Sequence, residues 1–175
     1  MKVIGIAFSD LHLGEYSKFN EDNKRTLNHI RVLYLIKDLC IKYKCPAFFC
    51  GDFMHRPEFI STSLDEIIIE QFEELNRYEE FNIYGISGNH CMPKANTIEH
   101  RSPSHWANLC RRYSFLHNID FSYHDFGKFR VVGIPYIDHN NGLDGLIKSE
   151  LKGAMLKPTI LLLHTDYPGA KDTDN

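Results

Sequence analysis

"FSDLHLG", residues 8–14, closes an apolar run that begins at Val3. Val3–Ser9 reads as a buried strand, and directly behind it stand Asp10, His12 and Gly14. Side chains two apart on an extended chain point the same way. Read so, Asp10 and His12 converge on one object, and a carboxylate beside an imidazole suits a metal ion. A single Asp-x-His triplet is also an ordinary turn. The other strand ends must decide between the two.

They repeat the pattern. "AFFC" (47–50), introduced by Pro46, is a second short apolar strand, followed by Gly51, Asp52 and His55. "FNIYGIS" (81–87) is a third, followed by Gly88, Asn89 and His90. "TILLLH" (159–164) is a further apolar strand that ends in His164. In open α/β sheets ligands bind outside the carboxyl ends of the strands, which would gather these residues at one edge. Carboxylate, imidazole and amide oxygen without thiolate suit Mn, Fe or Zn rather than a structural Cys-zinc site. Glycines before Asp52 and Asn89 allow a sharp bend and a close backbone approach.

Helical patterns separate the strands. Residues 22–42 place Leu27, Ile30, Leu33, Ile36 and Cys40 on one face. Ser63 followed by Glu66 matches a capping box opening a helix through "DEIIIEQFEELNRY". A short helix is expected after Pro103, through Trp106 and Leu109, and another over "GLDGLIKSELKG". "FSYHDFGKFRVVGIPY" reads as a hairpin turning near Gly127. The fold class is α/β, layered, with mixed sheet flanked by helices.

Composition sets the bounds. The 175 residues suit one domain with a full core. Hydrophobic content of 43% and charged content of 25% are those of a soluble globular protein. No apolar stretch approaches the ~18–20 residues that cross a bilayer, and no secretory leader is evident. Five scattered cysteines, none in C-x-x-C, read as reduced thiols of a cytoplasmic protein. A net charge of −3 excludes nucleic-acid binding by bulk charge. The acidic run from Asp65 to Glu80 reads as a solvent face. Residues 94–112, with Lys94, Arg101, Arg111 and Arg112 around Trp106, read either as a phosphate-contacting stretch or as a solvated helix with Trp106 in the core.

D-x-H, then G-D-x-x-H, then G-N-H, then a strand ending in His, resembles the calcineurin-like metallophosphoesterases. "GDFMHRPE" is similar to their repair and recombination nuclease branch, which includes SbcD-like proteins and phage recombination nuclease subunits. The resemblance spans 1–175 as one metallophosphoesterase-type nuclease domain. It implies two divalent cations, Mn²⁺ first, with Fe, Zn or Mg as options. Asp10 and His12 would hold one ion, Asp52 would bridge, and Asn89 and His164 would hold the second. His90 would donate a proton at the scissile phosphate, with His55 a second catalytic histidine near the leaving group. Lys94 and Arg101 would touch substrate. DNA is the implied substrate, cleaved by exo- or endonuclease action, with an ATPase coiled-coil partner subunit and an optional homodimer. Alternatives are a small-nucleotide phosphodiesterase or phosphatase, and a non-catalytic scaffold. Two departures stand out. Cys91 occupies the place after G-N-H where the family carries an acid. The family's last motif, G-H-x-H, does not occur before Asn175, so the chain reads as a C-terminally incomplete domain or as a member with a partial site.

Overall fold

A computed structural model describes residues 2–14, 24–55, 61–91, 104–137, 145, 147–149 and 157–165. Four short strands pair in parallel in sequence order: β1 (Ile6–Phe8), β2 (Ala47–Phe49), β3 (Ile83–Gly85) and β4 (Leu116–Asn118). Their register is level, since Phe8 stands beside Phe49, Phe49 beside Gly85, and Gly85 beside Asn118. Whatever follows each strand therefore emerges at one edge. β5 (Ser122–Asp125), β6 (Arg130–Ile134) and β7 (Thr159–Leu163) form a second, mixed sheet. β5 and β6 are the antiparallel hairpin expected around Gly127, whose φ of 79° supplies the turn. β7 runs parallel to β6, so Tyr136 and His164 follow strands that end level, with Ile134 beside Leu163.

Alternation along β2 separates two cores. Ala47 and Phe49 point into a cluster with helices α1 (Lys24–Tyr43), α2 (Thr62–Leu75) and α3 (His105–Arg112). Phe48 points the other way, into a cluster with Ile86, Ile119, Val131 and Leu162 that joins the two sheets. α1 buries Ile30, Leu33, Ile36 and Cys40, the stripe that its spacing predicts. α2 buries Leu64, Ile68, Phe72 and Leu75 and leaves its acidic residues exposed. Its N-cap is Ser61, whose hydroxyl accepts from the Leu64 amide at 3.4 Å. The N-cap thus stands two residues before the expected Ser63, and with Leu64 in the third position after the cap the expected Ser63–Glu66 capping box is not formed. Competing hydroxyls in "STS" make this boundary ambiguous to pattern alone.

Trp106 is fully buried and donates its indole N–H to the Gly85 carbonyl at 3.0 Å, so the core reading of α3 holds for it. With Phe49, Phe53 and Phe72 it forms an aromatic cluster whose neighbouring centroids lie 5.0–5.6 Å apart. Burial of each such ring stabilises the fold by roughly 1.5–3 kcal/mol. Because Phe53 is locked here, the preceding Asp52 is aimed outward at the sheet edge. Of the helix expected over "GLDGLIKSELKG", Gly145 and Ile147–Ser149 are helical and the rest lies outside the described residues. All five cysteines are free thiols. No helix among the described residues is long and apolar enough to cross a membrane.

Candidate metal centre

The chains leaving β1 and β2 zip together. Asp10 N–H donates to the Gly51 carbonyl at 3.0 Å, His12 N–H to Asp52 at 2.9 Å, and Leu13 N–H to Phe53 at 2.8 Å. His55 N–H returns the bond to Leu13 at 2.8 Å. Leu11 and Leu13 are buried, so Asp10 and His12 are turned away from the core. Thr26 on α1 ties the end of this loop by donating to the Gly14 carbonyl at 2.7 Å.

Asp10 and His12 do converge, but the backbone that brings them together is not extended. Their φ angles are 55° and 46°, and that of Asp52 is 60°. All three are in the left-handed region, where a non-glycine residue costs of order 1–3 kcal/mol unless its surroundings impose it. The paired amides of the two loops impose it here. His12 Nε2 lies 3.5 Å from Asp10 Oδ1 and 3.7 Å from Asp52 Oδ2. Ser9 donates its hydroxyl to the Asp10 carboxylate.

His164 reaches the same carboxylate from the second sheet. Its Nε2 lies 3.5 Å from Asp52 Oδ2 and 2.9 Å from Asn89 Oδ1. Its Nδ1–H donates to the Cys50 carbonyl at 2.7 Å, which leaves the lone pair on Nε2. A ligating imidazole characteristically has its other nitrogen tied in this way. Gly51 makes the approach feasible: a Cβ there would stand 2.4 Å from His164 Nδ1. Gly88 does the same for Asp52, with a Cβ placed 2.1 Å from Oδ1.

Asn89 decides what this ring of atoms can hold. Turned with its NH₂ inward, it would donate to His164 Nε2 at 2.9 Å and to Asp52 at 3.3 and 2.9 Å. Turned with its oxygen inward, it completes a ring of acceptors around the buried Asp52, which is 3% exposed. A cation satisfies the second arrangement. Asp10, His12 and Asp52 form a second group, with one ligand atom from each within 4.8 Å of the others. The described residues thus contain His/Asp clusters able to hold metal.

His90 sits above Asp52. Its backbone N–H donates to Asp52 Oδ1 at 2.9 Å and its Nδ1–H to the His55 carbonyl at 2.9 Å. Its ring stacks on His55 with centroids 5.4 Å apart and lies 4.8 Å from His12. The His55 carbonyl orients this ring and the Asp52 carboxylate holds its backbone; Cys91 does neither. Cys91 is buried in the helix-side core, where burial pushes its thiol up and keeps it neutral. A cleft of about 350 Å³ opens in front of Asp10, Asn89 and His164 and is walled by Tyr136. Lys94 and Arg101 lie outside the described residues.

Beneath Gly88 lies a support that pattern reading missed. Ser87, fully buried, donates its amide and hydroxyl to Asp120 at 2.8 and 2.6 Å. Its oxygen is also 2.5 Å from the Ser104 hydroxyl, which caps α3 by accepting from Ala107 N–H at 3.0 Å. The Tyr136 amide donates to the Ser87 carbonyl at 2.9 Å. Asp120 and Tyr136 follow β4 and β6, so the strand-end rule that finds Asp52 would have found both. β4 escaped that rule because "LHN" is three residues with one apolar side chain.

Burial pushes the Asp120 carboxyl up from its ordinary 3.8, against the opposing pull of its Ser87 bonds. A raised acid contributes stability that is full below the ordinary value and is lost as pH rises through the folded value. Asp120→Asn should therefore gain stability relative to the parent as pH is raised above about 4. Asp120→Ala strands the Ser87 amide and should cost about 1–3 kcal/mol at pH 4, a cost that narrows at higher pH as the parent's own carboxyl ionises. Urea unfolding of the three proteins at pH 4 and pH 8 checks both; an Asn variant whose advantage shrinks with pH would contradict the burial argument.

No protein-family model matches the chain, and no curated protein is significantly similar to it.

Proposed function

We propose that this chain is a metal-dependent phosphodiester hydrolase that acts on DNA, of the calcineurin-like metallophosphoesterase type and its repair and recombination branch. The observation that carries the reading is the convergence of Asp10, His12, Asp52, Asn89 and His164 at one sheet edge, with His90 bonded to the central carboxylate. Asp10, His12 and Asp52 would hold one cation, and Asp52, Asn89 and His164 a second. Mn²⁺ suits this mixture of oxygen and imidazole. When bound, the ions neutralise phosphate charge and make a nucleophile available near neutral pH.

The protein's own groups do the rest. Asp52 holds the G-N-H turn through the His90 amide, so the residue that links the two cation positions also sets the height of the His90 ring. In its imidazolium form His90 keeps Nδ1–H on the His55 carbonyl and gives the Nε2 proton to the departing oxygen. His55 contributes that carbonyl and stacks its ring against His90. Tyr136 walls the cleft in which the diester would lie.

The test is hydrolysis with Mn²⁺ of linear and circular DNA, a chromogenic phosphodiester and a chromogenic phosphomonoester. Cleavage of DNA and of the diester, abolished by chelator, is the outcome expected. Turnover of the monoester alone would replace this reading with a phosphatase. Saturating metal without any turnover would favour the scaffold.

A further inference from the structure

The three histidines His12, His55 and His90 make a cluster that the reading above uses only in part. One ring nitrogen from each lies within 4.8 Å of the other two. The ring centroids are 4.8, 5.4 and 5.6 Å apart, and all three residues are partly buried. Their backbones are interlocked. His12 N–H is held by Asp52, His55 N–H by Leu13, and His90 Nδ1–H by the His55 carbonyl. Gly14 lets His55 come close, since a Cβ on it would stand 3.0 Å from the His55 Cβ.

We propose that His12, His55 and His90 form a tri-imidazole site for a borderline cation, zinc above all, that competes with the oxygen-rich centre for His12. The donor set supports this choice. Three neutral imidazoles without a carboxylate favour Zn²⁺, Ni²⁺ or Cu²⁺ over Mn²⁺ and Mg²⁺. Zinc–nitrogen bonds of ~2.0–2.1 Å place the nitrogens of a tetrahedral site roughly 3.4 Å apart. Rotation of the rings on their Cβ atoms closes the remaining distance. His90 has the tautomer that ligation needs, because the carbonyl on Nδ1 leaves the lone pair on Nε2.

His12 is the shared element. It belongs both to this cluster and to the group with Asp10 and Asp52, whose oxygens lie 3.5 and 3.7 Å from its Nε2, so its one ring must serve either group. Zinc on the three imidazoles withdraws His12 from the carboxylates and occupies the nitrogen through which His90 would give its proton. This consequence for catalysis rests on the proposed hydrolase function, whereas the binding site itself does not. Zinc is then an inhibitor that excess Mn²⁺ relieves only in part, because His55 and His90 still hold it.

The whole chain is titrated with Zn²⁺ against a chromophoric chelator and with Co²⁺, whose visible absorption reports a four-coordinate, nitrogen-rich site. His55→Ala and His90→Ala should each weaken Zn²⁺ at least 10-fold and remove the intense Co²⁺ band. Asn89→Ala should leave both signals within about threefold of the parent while weakening Mn²⁺. Using two histidine variants, each checked by circular dichroism, guards against one that does not fold. Zn²⁺ affinity that falls with Asn89→Ala and survives both histidine changes would overturn the inference. Zinc held by the three imidazoles in a chain that, freed of zinc and given Mn²⁺, still cleaves no DNA would sustain the site and sink the hydrolase. Mn²⁺-dependent cleavage with no zinc on these histidines would do the reverse.

Discussion

His90→Ala will slow phosphodiester cleavage by about 10²–10⁴-fold and leave Mn²⁺ affinity within a few-fold of the parent. The two readouts part because His90 makes two separable contacts. Its contact with Asp52 is made by the main chain, at 2.9 Å, and alanine keeps it. The carboxylate that links the two cation positions therefore stays in place. What alanine removes is the imidazole, held by the His55 carbonyl at 2.9 Å and stacked on the His55 ring. A positioned proton donor contributes of that order. Single-turnover cleavage at saturating Mn²⁺, with Mn²⁺ binding followed by electron paramagnetic resonance, separates the terms. Equal rates for variant and parent would take His90 out of the chemistry. A collapse of Mn²⁺ binding would make it a ligand instead.

The chemistry-bearing residues were readable because each stands directly behind an apolar run. Level register of four parallel strands then turns a linear recurrence into a cluster. Asp10, Asp52 and Asn89 follow neighbouring strands of one sheet, and His164 closes the group from the other. Pattern alone could not supply the local backbone. Asp10 and His12 meet through left-handed φ angles and not through extended alternation, and those angles are held by carbonyls of a loop some 40 residues away, which accept the Asp10 and His12 amides. Strand lengths were overestimated for a related reason. In "FNIYGIS" the apolar run continues past Gly85, but Ile86 turns into the core between the sheets and Ser87 bonds to Asp120 in place of a neighbouring strand. The Ser87–Asp120–Ser104 support was invisible because its members are 17 and 33 residues apart from Ser87, and each alone is a common turn or cap residue.

Asp52→Asn will abolish the stabilisation that Mn²⁺ gives the folded chain without weakening the metal-free protein. Asparagine is isosteric, tolerates the φ of 60° as well as aspartate does, and can still accept the His90 amide. The loop should therefore keep its shape. In chelator the variant should be as stable as the parent or more so, because a carboxylate only 3% exposed has been replaced by a neutral amide. With metal the order reverses. A cation at a hundred times its dissociation constant stabilises the parent by about 2.7 kcal/mol, which for a chain of this size raises Tm by about 5–10 °C. An amide offers one weak acceptor where the carboxylate offers two charged ones, so binding should fall by at least ~10²-fold and the rise in Tm should vanish. Thermal unfolding of both proteins in EDTA and in millimolar Mn²⁺ gives the four numbers required. The same rise in both would move the metal away from Asp52. A variant already several degrees less stable in EDTA would make Asp52 a structural carboxylate, and the left-handed strain at Asp10, His12 and Asp52 would then serve the fold in place of an ion.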